Sequence, residues 1–311
     1  MEEPRFDRHR RADVLNSVLE TWLVSMDRIR QENPCAYKIM HIIAYFNHQD
    51  ILFELITAAA RSVIDEDTNM EDIGSDVDGN ESNQTMYDKS DGSDVYKCSE
   101  SGSEDDDDIL EAATRLTEFL FLRLRKSKKR IHHYDMHKLV QGATRYSLGK
   151  RDDERLLFSK KALKIMLDVF PRSSHNTRNR CEMLLPHTLV VSAWPEISQE
   201  GVAVAKLLSE VSLYLHHQGR SREQEPIDLK ALKMQREVLG KRYPDTIMSL
   251  ANVAATYRQQ GQYTNAEKIG VEVHQFQKDL LGERHPNTTE SMANLVSTYY
   301  QRGRFRDAEK A

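Results

Sequence analysis

The sequence predicts a mainly α-helical protein: a helical domain with a short β-ribbon, split by an acidic insertion, then a solenoid of stacked helix hairpins. Three observations carry this. Residues 244–311 repeat at a spacing of 42: Pro244-Asp245-Thr246 returns as Pro286-Asn287-Thr288, Leu250-Ala251-Asn252 as Met292-Ala293-Asn294, Tyr257 as Tyr299, Gly261 as Gly303, and Ala266-Glu267 as Ala308-Glu309. Self-similarity at such a period is the signature of a solenoid. Residues 65–108 hold seventeen Asp or Glu against Lys89 and Lys97, so the net charge of −5 hides a segment at about −15 and a remainder at about +10. The 311 residues are 39% hydrophobic, enough for packed cores, with no run of about 18 apolar residues to span a bilayer.

Residues 1–11 are charged rather than signal-like, so the expected location is the cytoplasm, with no membrane partner. Cys35, Cys98 and Cys181 lie far apart without a Cys-x-x-Cys pair, which argues against a disulfide framework and a cysteine zinc site. Leu15, Val18, Leu19 and Trp22 mark a first amphipathic helix. A second opens at Asn33-Pro34, where asparagine can cap and proline suits the first turn. Residues 51–60 read as a third.

Residues 64–108 offer almost nothing to bury, so ordering them would cost backbone entropy without return, and disorder is expected. Ser75, Ser101 and Ser103 each precede an acidic residue by three positions and are candidate phosphorylation sites for an acid-directed kinase. Asp76, Asp78 and Asn80 begin like a calcium loop, but Glu81 replaces its turn glycine and Tyr87 its terminal glutamate.

Folded sequence resumes at Ile109. Leu110, Ala113 and Leu116 mark a helix, Phe121-Leu122-Arg123-Leu124-Arg125 alternates like a strand, and His133-Tyr134-Asp135-Met136 is its partner across a basic turn. Helix returns over residues 137–148. Three helices, a helix and a β-ribbon in this order describe a winged-helix domain, residues 1–63 and 109–150, split by the insertion at 64–108.

The runs Thr21-Trp22-Leu23-Val24-Ser25-Met26, residues 36–46, and Met136-His137-Lys138-Leu139-Val140-Gln141 resemble the winged-helix segment that follows the nucleotide-binding core of NB-ARC and NACHT signalling ATPases, notably fungal ones. The resemblance covers residues 14–148 without the insertion. It implies that His137 contacts the β-phosphate of bound ADP, although Lys138 stands where the family's Met-His-Asp motif has its aspartate. No Gly-x-x-x-x-Gly-Lys-Ser/Thr occurs, so the backbone cradle for phosphates is missing and ADP is expected only if an ATPase core is supplied elsewhere. Ile165-Met166-Leu167-Asp168 looks like a Walker-B fragment but sits on a helical pattern.

Residues 151–201 are read as a helical connector, and residues 202–311 as the repeats. In one unit Leu250, Val253, Ala254 and Tyr257 form the stripe of an amphipathic helix that Gly261 breaks; Ala266, Ile269, Val273, Phe276 and Leu280 face inward on a second, which Gly282 ends. A lone pair cannot cover its apolar face, so neighbours must stack. A worn earlier copy aligns Leu208 with Leu250, Gly219 with Gly261 and Val238-Leu239-Gly240 with Leu280-Leu281-Gly282. The last pair stops inside its second helix at Ala311, which reads as a C-terminal truncation. The Leu-Gly-Glu-Arg-His-Pro and Ala-Asn-Leu-x-x-x-Tyr-x-x-x-Gly runs resemble tetratricopeptide repeats of the kinesin-light-chain type, in which first helices line a concave groove and the matching asparagines contact bound peptide.

The candidate partner surface is a polar stripe copied between units: Ser249, Asn252, Thr256 and Gln259 recur as Ser291, Asn294, Thr298 and Gln301. Amides both donate and accept, which suits an extended chain, so Asn252 and Asn294 lead the set; a merely solvated face is the bland alternative. The basic wing, Arg123, Arg125, Lys126, Lys128, Lys129 and Arg130, could hold nucleic acid, but the helix after it carries only Lys138 and Arg145. His132 and His133 would point to opposite faces of a strand and cannot chelate together. No nucleophile, metal-protease or Cys/His motif offers catalysis. The expectation is a non-enzymatic interaction protein with no cofactor of its own. Its partners would be a protein or peptide in the groove and a nucleotide-binding domain against the winged helix. A stand-alone adaptor and a nucleic-acid binder are the alternatives.

Overall fold

The protein, seen in a computed structural model, is described over residues 17–71, 104–125, 132–149 and 151–310. These divide into two compact units, residues 1–44 with 48–149, and residues 45–47 with 150–311.

In the first unit, α1 (Ser17–Glu32) turns Met26 and Ile29 inward, and its Trp22 ring lies 5.3 Å from that of Phe121. Asn33 caps α2 (Pro34–Ile43) as its spacing predicts: the side-chain oxygen accepts from the Ala36 amide at 2.7 Å. Helix α2 is central, with Ile39, Met40, Ile42 and Ile43 fully buried.

The expected third helix begins two residues late. Ile51–Leu52 form a short strand β1, and the helix α3 is Phe53–Glu71. Asp50 adopts a left-handed φ of 54°, which turns the chain so that both buried residues pair with a neighbouring strand. Helix α4 (Glu104–Glu118) leads to β2 (Arg123–Arg125) and β3 (His133–Asp135), while Phe121 and Leu122, expected in the strand, are buried in the bend before it. The sheet is antiparallel in the order β1-β3-β2, with Ile51 and Leu124 both opposite Tyr134. Helix α5 (Lys138–Ser147) closes the unit. The helices and the β-ribbon thus follow one another in the expected order, with β1 in addition.

The expectation of disorder over 64–108 needs correction at its ends: α3 runs on to Glu71 and α4 starts at Glu104. Residues 72–103 lie outside the described residues.

The second unit opens with α6 (Asp152–Val169) and α7 (Arg178–Val191). A 3₁₀ turn, Pro195–Glu200, follows Trp194, whose Nε1 donates to the Tyr45 carbonyl at 2.9 Å. Three hairpins succeed one another: α8 (Gly201–His217) with α9 (Ser221–Val238), α10 (Pro244–Gln259) with α11 (Tyr263–Leu281), and α12 (Pro286–Gln301) with α13 (Phe305–Lys310). The worn copy is therefore a full hairpin. Glycines 219, 240, 261, 282 and 303, one every 21 residues, all hold φ between 68° and 88°. That left-handed region is cheap only for glycine, so the chain reverses at each of these positions.

Leu232, Ile247, Leu250, Val253 and Val273 pack as one cluster, with Tyr257, Ile269 and Phe276 against it. Leu280, expected inward, is 47% exposed, because it lies in the last turn beyond the reach of the next helix. A polar clasp recurs outside this core. Glu225 accepts from Gln260, and 42 residues on Glu267 accepts from Arg302 and also from Arg304. Glu182 of α7 meets Arg220 at 2.8 Å in the same manner.

Candidate protein-interaction groove

The copied polar stripe splits into two lines. At 3.6 residues per turn, positions 249 and 256 stack almost above one another, and 252 and 259 lie about 60° round the helix. The first line turns into the protein. Ser249, Thr256, Ser291 and Thr298 are 3%, 1%, 7% and 3% exposed, so they are not open to a partner in this structure. Their polarity suggests a partner-facing or solvated stripe, but short hydroxyls find partners inside: Thr256 Oγ1 donates across to Asp228 Oδ2 of α9 at 2.6 Å, while Ser291 Oγ and Thr298 Oγ1 bond within their own helix, to the Thr288 and Asn294 carbonyls, each at 2.8 Å.

The second line remains accessible. Asn252 is half-buried, and Gln259, Asn294 and Gln301 are exposed. Two of these amides also tie first helices together. Gln259 Nε2 donates to His216 Nδ1 of α8 at 2.9 Å, and Arg258 of α10 donates to Asn294 Oδ1 of α12 at 2.8 Å. Burial and the neighbouring His217 hold the His216 pKa below its ordinary value, so the ring is neutral at pH 7 and can accept this bond.

Beside that line runs a groove enclosing about 620 Å³, part of it open to solvent, between α10, α11 and α12. Its floor is small and apolar, built from Ala254, Ala266, Gly270, Val273 and Leu295; Arg258, Asn294, Asn287 and Glu290 stand among its lining. Asn294 lines it and Asn252 does not. A Cβ on Gly270 would lie 3.4 Å from Leu295 Cδ1, an ordinary contact, so the floor there is small without being tightly closed.

Sequence reasoning missed Arg258, Gln277 and Asp228. Gln277 is 9% exposed, lines the groove, and leaves its Oε1 without a hydrogen-bond partner. Its counterpart 42 residues earlier, Gln235, lies away from the groove but is likewise buried with its Oε1 unpartnered, and this recurrence was the available signal. Arg258 carries no such signal, since its counterparts are His216 and Tyr300.

In the first unit, His137 caps α5: its Nδ1 accepts from the Leu139 amide at 3.2 Å, which leaves the ring N–H at Nε2 of this exposed residue. Met136 beside it is buried and Lys138 exposed. Of the basic wing, Arg125 pairs with Asp50 at 2.6 Å and Asp135 at 3.4 Å, which neutralises it within the sheet. Lys126, Lys128, Lys129 and Arg130 lie outside the described residues, as do Ser75, Ser101 and Ser103.

Residues 203–273 and 247–311 match the tetratricopeptide repeat family model, so the hairpins of the second unit are tetratricopeptide repeats. Over 240 residues the chain is 28% identical to a protein of the fungus Hyaloscypha variabilis named a nucleotide-binding leucine-rich repeat (NLR)-like protein; the alignment covers 76% of this chain and 19% of that relative. The chain thus spans about a fifth of the relative's length. A crystal structure of kinesin-light-chain TPR-like repeats from Podosopora anserina aligns at a TM-score of 0.37 and 16% identity, over 66% of this chain and 83% of that one. No helix among the described residues is long and apolar enough to cross a membrane.

Proposed function

We propose that the chain is a non-catalytic protein-interaction module of a nucleotide-switch signalling protein of the NLR type, and that its repeats hold an extended peptide or a partner helix in the groove between α10 and α12. The observation that carries this is the groove itself: an open, apolar-floored channel flanked by amides, set in an array whose units are tetratricopeptide repeats. Such a lining excludes water from an apolar side chain while Asn294 within it, and Asn252 on the α10 face beside it, offer donors and acceptors to a peptide backbone. The relative's name supplies the signalling context. In that context the first unit docks on a nucleotide-binding core supplied elsewhere, and the exposed Nε2–H of His137 donates to the β-phosphate of ADP.

The test is affinity for captured partners. The pair Asn252→Ala with Asn294→Ala should weaken binding about tenfold, a loss of two peptide hydrogen bonds, with unchanged circular dichroism. Leu229→Ala, on the exposed side of α9, should leave it untouched. Equal affinity in all three proteins would remove the groove from consideration. For His137, the readout is ADP retention by the reconstituted core, which His137→Ala should lower.

A further inference from the structure

The hairpin that forms the groove lacks three side chains that its predecessor carries. Ser212, Gln224 and Asp228 of the α8–α9 hairpin stand 42 residues before Ala254, Ala266 and Gly270. In the first hairpin the three are buried and joined. Gln224 Nε2 donates to Ser212 Oγ at 3.2 Å, and the Asp228 carboxylate takes the hydroxyl of Thr256 from the next helix as well as bonds from Ser212 and Gln224. In the second hairpin the same three positions are small, and they border the groove.

The rest of the arrangement is kept. Thr298 is the counterpart of Thr256, but it meets no carboxylate and turns its hydroxyl back onto the Asn294 carbonyl. His216, near enough to Asp228 for each to shift the other's titration, has Arg258 as its counterpart. Arg258 lines the groove and donates to the two oxygens of Asn294; among the described residues it pairs with no carboxylate. A hydroxyl and a cation therefore both line a space that holds no acid at the position of Asp228's counterpart, Gly270.

We propose that this end of the groove receives one carboxylate side chain from a bound extended peptide, in the place that Asp228 fills in the preceding repeat. The carboxylate draws the Thr298 hydroxyl away from the Asn294 carbonyl and pairs with the Arg258 guanidinium, which can meet it in a bidentate fork. Glu290 sits nearer the other end of the groove, more than two helical turns before Arg258's counterpart, Tyr300, so an acidic tract is repelled there and a single acid is preferred. This inference rests on the groove reading above.

The experiment screens the full chain against a library of fluorescein-labelled octapeptides, each position varied in turn on an Ala/Val background. Enrichment of Asp or Glu at one position is expected, with affinity falling about tenfold when that residue becomes Asn or Gln. Arg258→Glu should switch the preference to Lys or Arg. Gly270→Asp, which supplies the acid from the chain itself, should abolish it while thermal unfolding stays cooperative. An enriched set without acidic preference, or a preference indifferent to both variants, overturns the carboxylate site and leaves the groove standing. No enrichment that any groove variant alters overturns both.

Discussion

The α8–α9 and α10–α11 hairpins occupy the same place in successive repeats yet solve the same packing problem in opposite ways. The earlier one fills the space between its helices with Ser212, Gln224 and Asp228, bonded to one another and to Thr256 of the next helix. The later one has Ala254, Ala266 and Gly270 at those positions and leaves a groove. Turn glycines and the Glu225 and Glu267 clasps are common to both, so the frame does not depend on the filling. One hairpin therefore spends its interior on joining its neighbour, while the other keeps that interior available to a guest. Stability and binding are distributed along the array rather than shared by every unit.

This contrast is undone most visibly at Asp228. Replacing it by alanine removes the acceptor that joins α9 to α10 and leaves Thr256, Ser212 and Gln224 buried with fewer partners. A buried group orphaned in this way costs about 3 kcal/mol, far more than a surface change. Urea unfolding of Asp228→Ala should register that loss. A change under about 1 kcal/mol would mean that the polar filling is incidental and that the two hairpins do not differ as described.

A finer effect, smaller than that loss, lies in pH. Burial pushes the Asp228 carboxyl above its ordinary value of 3.8, and the bonds from Ser212, Thr256 and Gln224, with His216 nearby, offset part of that rise. With the folded value above the unfolded one, the group's contribution to stability is full below pH 3.8 and is lost as pH rises through the folded value. Neutral His216 does not compensate the charge at pH 7. Asp228→Asn keeps an acceptor without the charge, so its stability should rise relative to the wild type as the pH goes from about 4 to about 7. Melts of both proteins at the two pH values measure this, and a gain for the wild type over that interval would show that the bonds outweigh burial.

Most of the repeat architecture was readable from Gly, Pro and Ala at fixed spacing, because each of these has one dominant conformational or packing reason to be where it is. The worn hairpin was readable only through Leu208, Gly219 and Val238-Leu239-Gly240, since Ser212, Gln224 and Asp228 look like solvated residues until Thr256 is brought against them. The same blindness applied to Ser249, Ser291 and Thr298: a hydroxyl can be satisfied inside by its own helix, so polarity at a periodic position does not decide which way it faces. Strand β1 was hidden because Ile51 and Leu52 adjoin a helical run, and only pairing with Tyr134 and His133 makes them extended. Arg258 stayed invisible to self-comparison because its position holds a different residue in each repeat.

The mildest intervention addresses the other hairpin. Gly270 sits inside α11 and has no left-handed φ to protect, so its role is the absence of a side chain alone. An alanine Cβ there would rest 3.4 Å from Leu295 Cδ1, an ordinary contact, and would fill a little of the groove floor. Removing a helical glycine also narrows the unfolded ensemble, so Gly270→Ala should stabilise by about 0.5–1 kcal/mol, against the loss expected at Asp228. Opposite signs at two positions 42 residues apart are what the contrast between a filled and an unfilled interior requires. A destabilised Gly270→Ala protein would mean that the approach of α11 to α12 tolerates not even one methyl group, and the floor would then be a tight packing seam rather than space held for a partner.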